Sequence, residues 1–344
     1  MGRPLYFHHP TSLEHDPRLF SPGHPDTPER LVALEAALAE RDWLGWERTL
    51  APPASLEMLE LVHARALIDG VRGLCERGGG AIDMDTYVGP RSYQAALHAA
   101  GGAVAMTRAL LSGEASVGFT GMRPSGHHAE AERAMGFCLF DNVAVAAAWA
   151  IAEAGLERVF VLDWDVHHGN GTAEIFRTRA DVLFASLHQS PLYPGTGPLE
   201  DAGSGAGEGY TINLPVPPGT GPELWMALFE RVVMAAARQY EPELILVSSG
   251  FDAHRADPLA ECELATETFV QMAALVKELA RETGAPLGVV MEGGYEPDVL
   301  AECICAVLPV LAGERTVAAP EARSVADPLL GRAAEIYGRW WGTG

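Results

Sequence analysis

Cysteine and basic residues are scarce in this sequence, and each scarcity excludes a class of protein. The 344 residues include five scattered cysteines, Cys75, Cys138, Cys262, Cys303 and Cys305. An odd, scattered set is expected of reduced thiols, which argues against a disulfide-stabilised secreted scaffold and predicts a cytoplasmic protein. Lys and Arg number 24 against 46 Asp and Glu, giving a formal net charge of −22. Without a basic stripe no nucleic-acid partner is expected. The acidic surface is compatible with cationic substrates and equally with a contribution to solubility alone.

Long hydrophobic runs and low-complexity tracts are also absent. No apolar stretch reaches the roughly 18 uninterrupted residues of a membrane-span candidate, so no membrane partner is expected. The N-terminal segment lacks an apolar core of signal-peptide length. The composition is nevertheless 48% hydrophobic, which is ample for a large core. Because neither a repeat nor a long linker divides the chain, we predict a single domain over residues 1–344.

Apolar runs of strand length alternate with helical stretches along the chain. The predicted strands cover residues 5–8, 116–120, 158–162, 182–186, 244–248 and 287–291. The predicted helices cover about 28–41, 55–76, 92–112, 141–154, 222–239, 265–283 and 297–312. Strands that are apolar throughout and alternate with helices indicate an α/β fold whose mostly parallel sheet is covered on both faces.

Clusters of polar residues directly follow several of these strands. In the densest cluster Asp163, Asp165 and His167 alternate, so in an extended backbone their side chains point to the same side. Asp252 follows another apolar strand. Ligands of open α/β sheets bind beyond the carboxyl ends of the strands, which predicts that these clusters meet. Two carboxylates and one imidazole predict a catalytic metal site with an open position, zinc being the expected ion and iron or cobalt the alternatives.

Three further residues are candidates for chemistry beside this metal. The tandem His127 and His128 offer a general base and a second, electrostatic imidazole. Asp163 and Asn170 are the candidate partners that orient the two rings. Tyr295 follows two glycines and offers a phenol donor to a developing oxyanion. The histidines outside the strand-end pattern are assigned no role: His8, His9, His15, His24, His63 and His98.

Six motifs occur in an order that resembles one known family. They are Arg-Pro-Ser-Gly-His-His-Ala-Glu (123–130), Gly-Phe-Cys (136–138), Asp-Trp-Asp-Val-His-His-Gly-Asn-Gly-Thr (163–172), Ser-Leu-His-Gln-Ser-Pro-Leu-Tyr-Pro-Gly-Thr-Gly (186–197), Ser-Gly-Phe-Asp-Ala-His (249–254) and Glu-Gly-Gly-Tyr (292–295). From about residue 25 to 311 the sequence resembles the zinc-dependent histone deacetylase and acetylpolyamine amidohydrolase family, nearest its class II branch. The resemblance implies the arginase-deacetylase fold, a three-layer α/β/α arrangement with a mostly parallel sheet of about eight strands.

The resemblance also implies a role for each matching residue. The zinc ligands would be Asp165, His167 and Asp252. His128 would be the general base and acid, His127 its electrostatic partner held by Asp163, and Tyr295 the donor to the oxyanion. Asn170 stands where class I members place a carboxylate behind the second histidine. The substrate tunnel would be formed by Gly136, Phe137, Tyr193 and Leu259.

Structural potassium ions are a further feature that the resemblance implies. One site would use Asp163, Ser186 and the backbone carbonyls of Asp165, His167 and Leu187. A second site would lie near Phe176, Arg179, Val182 and Tyr210, mainly through carbonyl groups. Assembly into a homo-oligomer is left open.

The implied reaction is removal of an acetyl or related acyl group from an acetyl-lysine-like substrate, in a protein, a peptide or a small molecule, by metal-activated water. Leu259 stands where polyamine-preferring class II members carry an acidic residue, so we predict a preference for acyl-lysine. Acetylpolyamine deacetylation remains an alternative, as does a sensor that binds an acyl-amine without turnover. A two-manganese ureohydrolase is disfavoured because the second carboxylate of such a site is missing after Asp252.

The segment Ile82-Asp83-Met84-Asp85-Thr86 is a candidate for the tunnel mouth. One of its carboxylates would accept a hydrogen bond from a substrate backbone N–H. A solvated loop without that role is the alternative interpretation.

Overall fold

The central feature of the fold is a parallel sheet. The computed structural model of the chain describes residues 2–317 and 325–342. Within them the strands are β1 (Arg3–His8), β2 (Glu47–Leu50), β3 (Gly80–Ala81), β4 (Tyr87–Val88), β5 (Ala115–Thr120), β6 (Val159–Asp163), β7 (Val182–Gln189), β8 (Thr211–Val216), β9 (Leu244–Ser249) and β10 (Leu287–Met291). In these described residues, eight strands form one all-parallel sheet in the order β2-β1-β5-β10-β9-β6-β7-β8, and β3 pairs antiparallel with β4. The predicted sheet is confirmed.

Helices connect most of the strands. Over the same residues they are α1 (Glu29–Ala39), α2 (Leu56–Leu59), α3 (Arg65–Glu76), α4 (Ser92–Leu111), α5 (Asn142–Ala152), α6 (Asn170–Phe176), α7 (Pro222–Leu228), α8 (Met234–Tyr240), α9 (Thr266–Thr283), α10 (Pro297–Ala312) and α11 (Pro328–Tyr337), with a π-helical stretch (Phe229–Val233) joining α7 to α8. The single helix predicted over 55–76 is wrong. The chain breaks between α2 and α3 because the Ala64 N–H donates to the Ala131 carbonyl at 2.8 Å, while the His63 imidazole bonds to the Glu130 carbonyl at 3.1 Å.

Alternate residues of the inner strands pack on opposite faces of the sheet. Phe160 and Leu162 of β6 belong to one buried cluster with residues of α1, α9 and α10, whereas Val159 and Val161 belong to another with residues of α4 and α5. Burying a large apolar side chain contributes about 1.5–3 kcal/mol, so both faces stabilise the sheet. The result is the predicted three-layer α/β/α arrangement. No helix within residues 2–317 and 325–342 is long and apolar enough to cross a membrane.

Candidate active site

The carboxyl ends of adjacent parallel strands assemble one polar site. Asp163 ends β6 and Asp165 and His167 follow it, while Asp252 follows β9. The loop with His127 and His128 lies between β5 and α5, and Tyr295 comes after β10. Since β5, β10, β9 and β6 are consecutive in the sheet, these loops emerge side by side. The structure therefore brings together the residues that the sequence predicted to meet.

Asp165, His167 and Asp252 converge on one point. Nδ1 of His167 lies 3.1 Å from Oδ1 of Asp165 and 3.1 Å from Oδ2 of Asp252, and the three residues form a buried group whose ligand atoms all lie within 4.8 Å of one another. Burial and then the charge of Asp165 raise the pKa of Asp252, because two buried carboxylates repel. A divalent cation would remove this repulsion, and the donor set of two carboxylates and one imidazole fits zinc.

Backbone amides hold these carboxylates in place. The N–H of Gly293 donates to Oδ2 of Asp165 at 2.8 Å, and the N–H of Val166 donates to Oδ1 of Asp252 at 2.9 Å. A Cβ on Gly293 would lie 2.1 Å from Oδ2 of Asp252, so a side chain does not fit there. The ligand group is thus oriented by groups that are themselves fixed by the strand ends.

The tandem histidines have opposite electrostatic environments. Burial alone would lower the pKa of His127, but the carboxylates of Asp163 and Asp165 outweigh it and raise that pKa well above its usual value. Nδ1 of His127 donates to Oδ2 of Asp163 at 2.9 Å. Burial, followed by the charges of His127 and His167, holds the pKa of His128 well below its usual value. The two rings lie with their centroids 4.0 Å apart, and their surroundings shift the two pKa values in opposite directions.

Asn170 fixes the tautomer of His128. Its Nδ2 donates to a carboxylate oxygen of Glu130 at 2.8 Å, so its carbonyl oxygen faces His128. Nδ1 of His128 donates to that oxygen at 2.8 Å. Because Nδ1 carries the hydrogen, the lone pair of Nε2 is free, which is the state that a general base requires.

A buried arginine contacts both the ring of Tyr295 and the turn that carries it. The Arg30 guanidinium lies 4.7 Å from the Tyr295 ring centroid, donates to the carbonyl of Gly294 at 2.6 Å and donates to the carbonyl of Glu292. Arg30 and Arg123 share the buried carboxylate of Asp26, each at 2.7 Å. Burial raises the pKa of Tyr295 well above its usual value, although Arg30 opposes that shift. The phenol therefore remains protonated and available as a donor.

The predicted tunnel residues border this site. The Phe137 ring meets the Tyr295 ring edge-on at 5.8 Å, and the Tyr193 ring meets the His128 ring edge-on at 5.2 Å. Phe137 has φ of 65°, which is unusual for a bulky residue and costs on the order of 1–3 kcal/mol. Such strain is maintained where the surrounding structure requires one placement of the ring. Leu259 lies on the loop whose Asp257 bonds the Tyr295 backbone.

The 82–86 segment lies against the tunnel residues. Oγ1 of Thr86 accepts the Phe137 N–H at 3.2 Å and donates to Oδ1 of Asp85 at 2.9 Å. Nε2 of His24 donates to the Asp85 carbonyl at 2.9 Å, and the His24 ring packs edge-on against Phe137 at 4.5 Å. His24 thus packs against Phe137, a predicted tunnel residue, from a segment far from any strand end.

The residues of the implied potassium sites are also close in the sheet. Asp163 of β6 pairs in register with Ser186 of β7, which Leu187 follows. Near the second position, the Phe176 carbonyl accepts the Arg179 N–H at 2.9 Å and the Tyr210 carbonyl accepts the Phe184 N–H at 2.9 Å, while Val182 begins β7. A carbonyl oxygen has a second lone pair, so these bonds do not use the full acceptor capacity of the two carbonyls. Potassium binding itself stays a prediction.

Some residues of the site carried no sequence assignment. Besides Arg30, Asp26 and Asp257, one is Glu292, whose buried carboxylate accepts the Gly126 N–H at 2.7 Å and so anchors the loop of the tandem histidines. Glu292 is the first residue of the Glu-Gly-Gly-Tyr motif, but the sequence alone indicated no role for its carboxylate. Arg30 and Asp26 are four residues apart, a spacing that signals a helical ion pair but gives no indication of burial at the site.

Comparisons with known proteins find similar sequences and a similar fold over most of the chain. A family model described as "Histone deacetylase domain" matches residues 24–311. A histone deacetylase-like amidohydrolase from Pseudomonas aeruginosa is 42% identical over 89% of this chain and 80% of its own length. A probable deacetylase from Archaeoglobus fulgidus is 37% identical over 94% of this chain and 90% of its own length. The crystal structure of an HDA15 HD domain superposes with a TM-score of 0.91 at 33% identity, covering 99% of this chain and 96% of that one.

Proposed function

Because the chain belongs to the histone deacetylase family and is therefore a deacetylase, we propose that it is a zinc-dependent amidohydrolase that removes acetyl or related acyl groups from acyl-lysine-like substrates. The observation that carries this proposal is the convergence of Asp165, His167 and Asp252 in one buried group, with the His128 ring centroid 5.8 Å from that of His167. Zinc bound by these three residues would polarise the amide carbonyl and make a water molecule acidic at neutral pH.

The remaining roles follow from the protonation states. Nε2 of His128 has its lone pair free, so it accepts the proton of the attacking water and later transfers a proton to the leaving amine. The cationic His127 stays protonated through its bond to Asp163 and adds positive potential near the developing oxyanion. The hydroxyl of Tyr295 donates to that oxyanion.

The tunnel and its mouth suit a slender acyl-amine chain. The aliphatic part of an acyl-lysine would pass between the aromatic rings of Phe137 and Tyr193. The partly exposed Asp85, held by Thr86 and His24, would accept a substrate backbone N–H at the mouth. We also propose that structural potassium binds at the two positions described above and that residues 1–344 form a single deacetylase domain.

Substrate preference tests the finer part of this proposal. The measurement is kcat/KM for acetyl-lysine peptides, longer acyl-lysines, acetylputrescine and acetylspermidine under the same conditions. We expect kcat/KM to be at least roughly tenfold higher for the lysine derivatives than for the acetylpolyamines. Leu259 offers no charge to a polyamine nitrogen, which is the reason for this order. A clear preference for acetylpolyamines would contradict the substrate class while leaving the amidohydrolase assignment intact.

Gly136 offers a test of how His128 is placed. Gly136 has φ of 58°, and a Cβ there would lie 2.4 Å from Cδ2 of His128. We expect Gly136→Ala to displace the imidazole and to lower kcat by about a hundredfold or more, the range for loss of a general base. Gly113→Ala is the matched control, because Gly113 has φ of 77° and a Cβ there would meet open space. Equal kcat losses in the two variants would show that backbone strain, and not the His128 contact, is responsible.

A further inference from the structure

A buried carboxylate outside the metal group joins two functional loops. Oδ2 of Asp257 accepts the Tyr295 N–H at 2.6 Å, and Oδ1 accepts the Leu259 N–H at 2.9 Å. The N–H of Asp257 donates to the His254 carbonyl at 2.8 Å, which fixes its own backbone. Asp257 is 8% exposed and lies five residues beyond Asp252. Its side chain is thus committed to two backbone amides rather than to the metal group.

The turn that carries Tyr295 is fixed by hydrogen bonds from two side chains. Arg30 donates to the carbonyls of Glu292 and Gly294, and the Asp257 carboxylate accepts the amide of Tyr295 itself. The intervening glycines do little to resist backbone rotation, and Gly294 has φ of 120°. A turn this permissive needs outside contacts to fix the direction of its tyrosine. Within the described part of the chain, Asp257 supplies the side-chain acceptor for the Tyr295 N–H.

We propose that Asp257 is a positioning residue that sets the Tyr295 hydroxyl for catalysis and fixes the Leu259 segment relative to it. This rests on the proposed function, because it assigns Asp257 an effect on the reaction through Tyr295. Each oxygen of the Asp257 carboxylate accepts one backbone N–H, so removing the carboxylate deprives both amides of their acceptor. Losing both bonds would let the Tyr295 turn and the Leu259 segment move independently.

A double-mutant cycle separates this role from general destabilisation. We expect Asp257→Ala to keep its metal content and its KM within about threefold, and to lower kcat by about ten- to a hundredfold. If Asp257 acts through the tyrosine, adding Asp257→Ala to Tyr295→Phe should change kcat by less than about threefold, because residues that act as a unit are not additive. Asp257→Asn keeps one acceptor oxygen and should lose about tenfold, which provides a second variant if the alanine form does not fold.

Asp327→Ala is the matched control. Oδ1 of Asp327 accepts the Leu329 N–H at 2.8 Å with the same two-residue spacing, at the start of α11. This variant should leave kcat unchanged. Two results would overturn this inference and leave the proposed function intact. One is that adding Asp257→Ala to Tyr295→Phe lowers kcat as much as Asp257→Ala does in the wild-type protein. The other is a wild-type kcat in both Asp257 variants. A metal-loaded wild-type protein without amide hydrolysis would overturn the proposed function and this inference together.

Discussion

Replacing Asp165, His167 or Asp252 with alanine is expected to abolish zinc binding and turnover together. Each residue supplies one of three converging donor atoms, and a catalytic zinc with two protein ligands is held weakly. Losing the polarising ion removes several kcal/mol of transition-state stabilisation, so we expect kcat/KM to fall by more than about a thousandfold. The measurement is metal content by mass spectrometry alongside acetate release.

Asp69→Ala is the control for this prediction. Asp69 forms ion pairs with Arg65 and Arg72 on the surface of α3, away from the strand ends. It should retain both metal and rate. If any of the three site variants keeps full metal and full turnover, the ligand set proposed here is wrong.

His128→Ala and Tyr295→Phe should separate metal binding from catalysis. Neither side chain belongs to the metal group, so both variants should keep their zinc. Removing a general base or an oxyanion donor costs on the order of 10²–10⁴ in rate, and we expect kcat to fall by that amount. Single-turnover kinetics together with metal analysis would check both halves of this prediction.

The two controls match the chemistry of each change. Tyr240→Phe removes a phenol whose hydroxyl lies 3.4 Å from the Ala180 carbonyl, and His98→Ala removes an imidazole that contacts the Ala51 carbonyl. Both should retain the wild-type rate. A Tyr295→Phe enzyme within about threefold of wild type would contradict the role given to the hydroxyl.

The inner strands of the sheet were predictable from the sequence, whereas its edges were not. β6 and β9 are buried on both faces, so they occur as continuous apolar runs. β2 lies at one edge and consists of Glu47, Arg48, Thr49 and Leu50, mostly exposed, and β8 at the other edge contains Pro215. Edge strands tolerate charge and proline, which removes the apolar signal on which a strand prediction depends.

The site was predictable only where its residues follow strands. Asp165, His167 and Asp252 stand at strand ends, so sheet geometry alone predicted that they meet. Arg30, Asp26 and Asp257 come from a helix and from loops, and the sequence does not distinguish a buried charge from a solvated one. Burial of Arg30 depends on Asp26 and on carbonyls more than 260 residues away in the chain, a pairing that no local pattern contains.

The most direct test of the account is the metal dependence of amide hydrolysis by the purified chain. Metal content and acetate release from an acetyl-lysine peptide would be measured before chelation, after chelation and after adding back zinc. We predict one zinc per chain, loss of turnover on chelation and recovery with one equivalent of zinc. Full turnover without metal, two manganese ions per chain, or one bound zinc without hydrolysis of any acyl-amine would contradict the account.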